Sequence, residues 1–180
     1  MTNICSTSAL GLELLEHYEG CKLEAYQDQG GVWTIGIGTT RYPFGKPVQK
    51  GDTLESRQQA IVLMEHDLEI FEVSVAKLVN VPLDQNEFDA LVVFAYNCGV
   101  GQFGLGGSTL LKRINAGASM DQIEEAWLRF RKSTLDHDGK DNDNDGIIDE
   151  KGEKGDNTGL LNRRKSEFYL FKYGVNKFYN

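Results

Sequence analysis

Apolar residues recur at intervals of three and four along most of this chain, which predicts a mostly helical protein. The pattern predicts seven helices. Asp84 and Glu87 have the spacing of an N-terminal capping box, and Ser108 and Ser119 are predicted N-caps of two shorter helices. The clearest helical segments are residues 8–19, 55–79, a strongly apolar one starting at Asp84, 108–115, one starting at Ser119, and 160–173.

The period changes to two between the first two helices, where Trp33, Ile35 and Ile37 alternate with Thr34, Gly36 and Gly38. This alternation predicts a small antiparallel sheet, in which 42–50 is either a third short strand or a loop. The chain is therefore predicted to be α+β and mostly α. We expect one domain, with a β lobe at about 20–52, a long connecting helix, and a helical lobe at 80–180.

The net charge of −8 argues against nucleic acid as the main partner. The charge is concentrated in residues 136–156, where nine acidic side chains and three lysines carry −6. The acidity therefore says little about the substrate. No apolar run is long enough to span a membrane, and the first residues lack the pattern of a signal peptide. We expect a protein of the cytoplasm that does not insert into membranes.

Two carboxylates close to the predicted sheet in sequence suggest a catalytic site. Glycoside cleavage needs one carboxylic acid to protonate the leaving oxygen and one carboxylate to activate water or attack the sugar. Glu19, at the predicted end of the first helix, and Asp28, in a predicted turn, can face each other because the intervening strand reverses the chain. Thr34 is predicted to lie opposite that turn and to hold a water molecule. Each residue alone is most often a solvated or turn-forming side chain, so the combination carries the prediction.

The order of these residues resembles the phage-type lysozymes, the endolysins of glycoside hydrolase family 24. The resemblance rests first on the segment Glu19-Gly20-x-x-Leu23-x-Ala25-Tyr26-x-Asp28-x-x-Gly31-x-x-Thr34-Ile35-Gly36-x-Gly38. It implies a two-lobed lysozyme fold and hydrolysis of the β-1,4 bond between N-acetylmuramic acid and N-acetylglucosamine in peptidoglycan. By the same resemblance Glu19 is the general acid, Asp28 positions or activates water, and Thr34 supports it.

Two later segments extend the resemblance over nearly all of the chain except 134–158. They are Ala90-Leu91-x-x-Phe94-x-Tyr96-Asn97-x-Gly99-x-Gly101 and Leu161-x-Arg163-Arg164-x-x-Glu167. Asn97 and Gly99 fall where the family lines its sugar cleft, and Arg163 falls where an arginine pairs with the catalytic glutamate. Thr39 is a departure, because the family commonly has histidine there. An ion pair through that histidine is therefore absent, and we expect an effect on stability and not on chemistry.

The acidic segment resembles a calcium loop of the EF-hand type, with oxygen donors at positions 1, 3, 5, 7 and 9 and glycine at position 6. Position 12, normally a bidentate glutamate, is Gly152. We expect a structural Ca²⁺ ion; the alternative is a solvated acidic loop. The predicted ligands are Asp141, Asp143, Asp145, the carbonyl of Ile147, Asp149 and Glu150.

Two other functions remain open on the sequence. A lytic transglycosylase needs only one acid, and the presence of both Asp28 and Thr34 argues against it. An inactive protein that binds calcium or the cell wall would not need Glu19 and Asp28. The resemblance further implies a monomer that is stored in the host cytoplasm and acts on the wall after release by a holin.

Overall fold

The computed structural model describes residues 6–28, 30–134 and 154–180. Within these ranges the chain forms six α-helices, two short 3₁₀ turns and two two-stranded antiparallel sheets. The elements are, in order, α1 (Ala9–Glu19), β1 (Lys22–Gln27), β2 (Trp33–Gly36), a 3₁₀ turn (Pro43–Gly45), α2 (Arg57–Leu78), α3 (Gln85–Cys98), a 3₁₀ turn (Leu105–Gly107), α4 (Thr109–Asn115), α5 (Met120–Leu128), β3 (Lys132–Thr134), β4 (Lys154–Asp156) and α6 (Thr158–Tyr173).

Helix α3 is the centre of the molecule, and eight consecutive residues from Phe88 to Ala95 are buried. It begins at the predicted capping box of Asp84 and Glu87, which the structure confirms. Helices α1, α2 and α6 all pack against it. A second, smaller apolar cluster of Ile35, Val48 and Leu63 lies between the first sheet and α2. The mostly helical fold predicted from the periodicity is confirmed.

Helix α1 is fixed at both ends. Its N-cap Ser8 accepts a hydrogen bond from the amide of Leu10, and its own amide donates to Oδ1 of the buried Asp89 on α3 at 2.9 Å. At the other end Gly20 has φ 72°, a conformation that glycine adopts without strain, so the chain turns sharply into β1. Glu19 is therefore the last residue of a helix that is anchored to the core.

The first sheet consists of two strands. Of the two alternatives for 42–50, the third strand is therefore wrong, and the structure has a loop there. Tyr42–Lys50 instead contains the 3₁₀ turn, and only an isolated bridge joins Arg41 to Pro47. Two prolines in this segment lack the amide that a strand ladder requires, and Phe44 has φ 71°, which a strand does not accommodate. The prediction of seven helices is also wrong within the described residues, which form six.

The chain just after β2 lies directly against α3 at Gly38. This residue has φ 90°, and a Cβ built there would lie 2.6 Å from the Tyr96 hydroxyl. That hydroxyl donates to the carbonyl of Ile37 at 3.3 Å. Glycine at this position therefore allows the sheet to approach the C-terminal part of α3.

A second hairpin, which the sequence did not predict, closes the acidic segment. Strands β3 and β4 pair antiparallel with Lys132 opposite Asp156 and Thr134 opposite Lys154. Arg131 also forms an ion pair with Asp156 at 2.9 Å. The two ends of the segment are thus held together immediately before α6. The predicted calcium ligands, residues 141–150, lie outside the described residues.

Candidate functional site

Glu19 lies at the end of α1, and its side chain is 26% exposed. Nη1 of Arg163 donates to its Oε1 at 2.6 Å. A charge-assisted hydrogen bond of this length fixes the direction of the carboxylate. One oxygen is therefore held by the protein, while the side chain remains partly open to solvent.

Asp28 follows β1 and is held by the backbone of the turn that it begins. Its Oδ1 accepts from the amides of Gly30 at 2.9 Å and Val32 at 2.8 Å. The second oxygen, Oδ2, has no hydrogen-bond partner among the described residues. The carboxylate is thus oriented through one oxygen, and the other is available to a water molecule.

Tyr26 lies near both carboxylates. Burial raises the pKa of its hydroxyl, and the charges of Glu19 and Asp28 raise it further. Both carboxylates therefore lie close enough to act on one phenol, in agreement with the reversal of the chain between them. Tyr26 also pairs with Thr34 across the sheet.

Thr34 is almost completely buried, at 3% exposure. Its hydroxyl donates to the carbonyl of Val32 at 3.1 Å, which leaves the oxygen free to accept a hydrogen bond. It lies in the same sheet as the turn that contains Asp28. The sheet thus places Glu19, Asp28 and Thr34 around Tyr26.

Arg163, near the start of α6, is 5% exposed and pairs with two carboxylates. Besides Glu19 it contacts Oε1 of Glu167 through Nε at 3.1 Å. Burial disfavours its charge, but Glu167 and Glu19 outweigh burial, and the net effect raises the pKa of Arg163. The guanidinium therefore remains charged beside Glu19 throughout the accessible pH range.

Asn97 and Gly99 lie at the C-terminal end of α3. The Asn97 side chain is exposed, and its Oδ1 accepts from Nη2 of Arg164 at 2.9 Å. Gly99 has φ 80° and ends the helix by donating to the carbonyl of Ala95. Burial raises the pKa of Tyr96 beyond its ordinary value, and the charge of Glu19 adds to this effect, so the end of α3 lies near Glu19.

Sequence reasoning did not assign roles to Tyr26, Tyr96, Arg164 and Glu167, although all four lie in the segments that carry the resemblance. A signal for one pair was present. Arg163 and Glu167 are separated by four residues, which places oppositely charged side chains on one helix face. The spacing alone does not show that this face is buried, because such pairs are usually solvated.

Thr39, the departure noted above, has a specific contact. It is 1% exposed, and its hydroxyl donates to Oδ2 of Asp67 on α2 at 2.6 Å. Burial raises the pKa of Asp67, and the Thr39 hydrogen bond opposes that shift. A hydrogen bond from a hydroxyl to a carboxylate therefore joins the chain after β2 to α2 at this position.

We expect Thr39→Val to lower the free energy of unfolding by about 1–2 kcal/mol at pH 7, because the ionised Asp67 loses its donor. The folded-state pKa of Asp67 lies above its unfolded value, so the folded state binds the proton more tightly and the cost of the charge falls as pH decreases. The variant is expected to raise the pKa of Asp67 further. Its loss of unfolding free energy relative to the wild type is therefore complete at pH values above the folded-state pKa and becomes smaller towards pH 4. Urea unfolding at both pH values measures this. Thr40→Val, at an exposed neighbour, is the control; equal losses in the two variants would contradict the assignment.

Within the described ranges, no group of three or more histidine, cysteine, aspartate or glutamate side chains is arranged to hold a metal ion. Any metal site formed by residues 141–150 falls outside these ranges.

Comparison with known proteins gives one consistent result. The sequence profile described as phage lysozyme matches residues 16–167. The endolysin of Salmonella phage P22 is 36% identical over 131 residues, which cover 73% of this chain and 87% of the relative.

Solved structures agree. The endolysin from Escherichia coli O157:H7 phage FAHEc1 superimposes with a TM-score of 0.80 at 36% identity, covering 98% of this chain and 99% of that one. The muramidase domain of SpmX from Asticaccaulis excentricus superimposes with a TM-score of 0.71 at 30% identity, covering 92% and 96%. The likeness includes the segments that contribute Glu19, Asp28 and Arg163.

Proposed function

The chain belongs to the phage lysozyme family, and from this membership we infer that it is an endolysin, a muramidase of bacterial peptidoglycan. The bond cleaved is the β-1,4 linkage between N-acetylmuramic acid and N-acetylglucosamine. The observation that carries this function is that Glu19, held by Arg163, and Asp28, held by its turn, both lie near Tyr26. Names of the relatives, endolysin and muramidase, support the same activity.

Glu19 is proposed as the general acid. Its protonated form donates to the glycosidic oxygen as the bond to the anomeric carbon breaks, which leaves an oxocarbenium-like sugar and an ionised Glu19. The Arg163 guanidinium at 2.6 Å then stabilises the carboxylate that forms. This interaction is stronger after proton transfer than before it, so it favours the transition state over the bound substrate.

Asp28 is proposed to position and activate the attacking water. The two backbone amides on Oδ1 hold the carboxylate in place, and Oδ2 accepts from the water. Thr34 is proposed to support the same water through the lone pairs of its hydroxyl. Asn97 and Gly99 are proposed to contact the sugar from the end of α3, where the exposed amide of Asn97 is oriented by Arg164.

The products of digestion test the reaction class. A hydrolase adds one water across the bond, so we expect muropeptides with reducing N-acetylmuramic acid ends when purified peptidoglycan is digested and analysed by mass spectrometry. A lytic transglycosylase leaves an anhydro product that is lighter by one water. Anhydro products from the wild-type protein would overturn the assignment of Asp28.

No described helix combines the length and the apolar character that crossing a membrane requires. We propose that the protein acts as a monomer and is stored in the host cytoplasm, with access to the wall through a holin-type lesion. The support is the endolysin family itself. Size-exclusion chromatography with light scattering tests the monomer. Lysis of cells that express the protein with and without a holin tests the route of release.

We propose further that the acidic segment binds a structural Ca²⁺ ion through Asp141, Asp143, Asp145, Ile147, Asp149 and Glu150. The support is the spacing of hard oxygen donors together with the β3–β4 hairpin, which closes the segment into a loop. An ion there neutralises the clustered carboxylates and supports the start of α6, which carries Arg163. The chemistry at Glu19 and Asp28 does not require it.

Calcium removal should lower the melting temperature by about 5–10 °C if the ion is present at about 100 times its dissociation constant. The measurement is thermal unfolding with Ca²⁺, with EGTA, and with EGTA plus excess Ca²⁺. A variant with Asp143→Asn and Asp145→Asn should lose the calcium-dependent difference, and Mg²⁺ should not replace Ca²⁺. An unchanged transition in EGTA would count against the site.

A further inference from the structure

Glu167 is a fully buried carboxylate behind the site, and it accepts hydrogen bonds from two arginines and a tryptophan. Its Oε1 accepts from Nη2 of Arg164 at 2.6 Å and from Nε of Arg163 at 3.1 Å. Its Oε2 accepts from the indole nitrogen of Trp127 on α5 at 3.0 Å. Glu167 and Arg164 are both 0% exposed. A buried charge needs such partners, because its desolvation is otherwise very costly.

The two arginines that Glu167 holds reach two different parts of the site. Arg163 continues to Glu19 at 2.6 Å, and Arg164 continues to the exposed Asn97 at 2.9 Å. One carboxylate on α6 is therefore the common anchor of the proposed acid at the end of α1 and of the amide at the end of α3. Arginine side chains are long and flexible, so they hold these positions only if both ends are tied.

This network is not explained by stability alone. Nη2 of Arg163 and Nε of Arg164 are buried without a hydrogen-bond partner among the described residues. Replacing buried ionic groups by apolar side chains of similar volume is often neutral or stabilising. Stability alone therefore does not account for two buried guanidiniums and a carboxylate at this place.

The charge of Glu19 changes during the reaction, whereas that of Glu167 does not. A general acid is neutral before proton transfer and ionised afterwards. The contacts of Glu167 with both arginines do not pass through Glu19, so they remain when Glu19 is neutral. Arg163 thus stays in place when its partner at the site is uncharged, and it is already oriented when the Glu19 carboxylate forms.

We propose that Glu167 is a positioning residue that holds Arg163 against the catalytic acid and Arg164 against Asn97, so that one buried carboxylate controls both proton transfer and sugar binding. This rests on the proposed role of Glu19 as the general acid. Trp127, through its indole N–H, fixes the direction of the Glu167 carboxylate. The contact from Arg163 to Glu19 acts on kcat, and the contact from Arg164 to Asn97 acts on KM.

Three variants test the proposal by steady-state hydrolysis of soluble peptidoglycan fragments well below their melting temperatures. Glu167→Asp keeps the charge but withdraws the carboxylate by one methylene, and we expect kcat to fall about 10–100-fold, as for a displacement of about 1 Å at a catalytic group. Trp127→Phe removes the donor to Oε2 together with part of a buried ring, and we expect a smaller fall in kcat. Arg164→Met should raise KM several-fold with little change in kcat.

Phe171→Leu is the matched control, because its ring lies 5.2 Å from that of Trp127 in the same buried aromatic cluster and it takes no part in the network. It creates a comparable void without removing a polar contact, so it reports the effect of lost packing alone. We expect a lower melting temperature with kcat and KM near the wild-type values.

The proposal is overturned if Glu167→Asp and Trp127→Phe lower kcat no more than Phe171→Leu does at a similar loss of melting temperature. Equal effects of Arg164→Met on kcat and KM would overturn the claim that Arg164 serves sugar binding and Arg163 serves proton transfer. If Glu167→Asp does not fold, Trp127→Phe with its control still decides between the outcomes. Failure of the proposed function is distinguished separately, because it would appear as full activity in Glu19→Gln.

Discussion

Replacing Glu19 by glutamine is expected to lower the rate of peptidoglycan hydrolysis by about 10²–10⁴-fold, the range that general acid catalysis typically contributes. Glutamine has nearly the same shape but cannot donate a proton to the glycosidic oxygen. The fold should persist, because Arg163 keeps its contact with Glu167 when Glu19 becomes neutral. The loss should therefore appear in kcat, with an unchanged circular dichroism spectrum.

Glu16→Gln is the control for this experiment. Glu16 lies one turn earlier on the same helix and forms an ion pair with the exposed Arg57. Its substitution changes the same chemical group at nearly the same place, and we expect wild-type lysis in a turbidity assay on purified walls. If Glu19→Gln clears walls as fast as the wild type, the proposed mechanism is wrong.

Replacing Arg163 by methionine is expected to cost about 3–5 kcal/mol of unfolding free energy, the range found when one partner of a buried ion pair is removed. The side chain is 5% exposed and holds both Glu19 and Glu167. Methionine fills much of the volume but leaves the buried Glu167 with one arginine fewer. We also expect a lower kcat, because Glu19 loses the cation that stabilises its ionised form.

The matched control is Arg57→Met, which removes an arginine from the ion pair with Glu16 at the surface. Solvent and salt screen exposed pairs, so this change should leave the urea midpoint essentially unaltered. Urea unfolding followed by circular dichroism compares the two variants. Similar midpoints for Arg163→Met and Arg57→Met would contradict the view that burial makes the Arg163 pair structurally important. Arg163→Lys should recover only part of the loss, because an ammonium cannot reproduce the fork of contacts.

Local signals predicted the helices well, because they depend on residues close in sequence. The capping box at Asp84 and Glu87 and the cap at Ser119 mark real helix starts. The sequence left 42–50 open between a strand and a loop, and Pro43 and Pro47 lack the amides that a strand ladder requires, so the structure has a loop. Strands β3 and β4 have three residues each, which is too short for a periodic signal.

The residues of the candidate site also fall into two groups, those that the sequence predicted and those that only the structure identified. Glu19, Asp28 and Thr34 lie within sixteen consecutive positions, and the turns at Gly20 and Gly31 that bring them together are visible in the sequence. The roles of Arg164, Glu167 and Trp127 were not visible. The spacing of Arg164 and Glu167 is equally compatible with a solvated helix face, and Trp127 could be a core residue that has no contact with them.

The sequence by itself therefore determined the mostly helical class, the acid–base candidates and the family, because helix periodicity, caps and glycine turns are properties of short segments. Only the tertiary structure decided how Glu19 is held. Its partner Arg163 lies 144 residues away, and the carboxylate that holds Arg163 is itself held by Trp127 of another helix. Whether a charged side chain is buried depends on which elements pack around it, and this packing turns α6 into the support of the site.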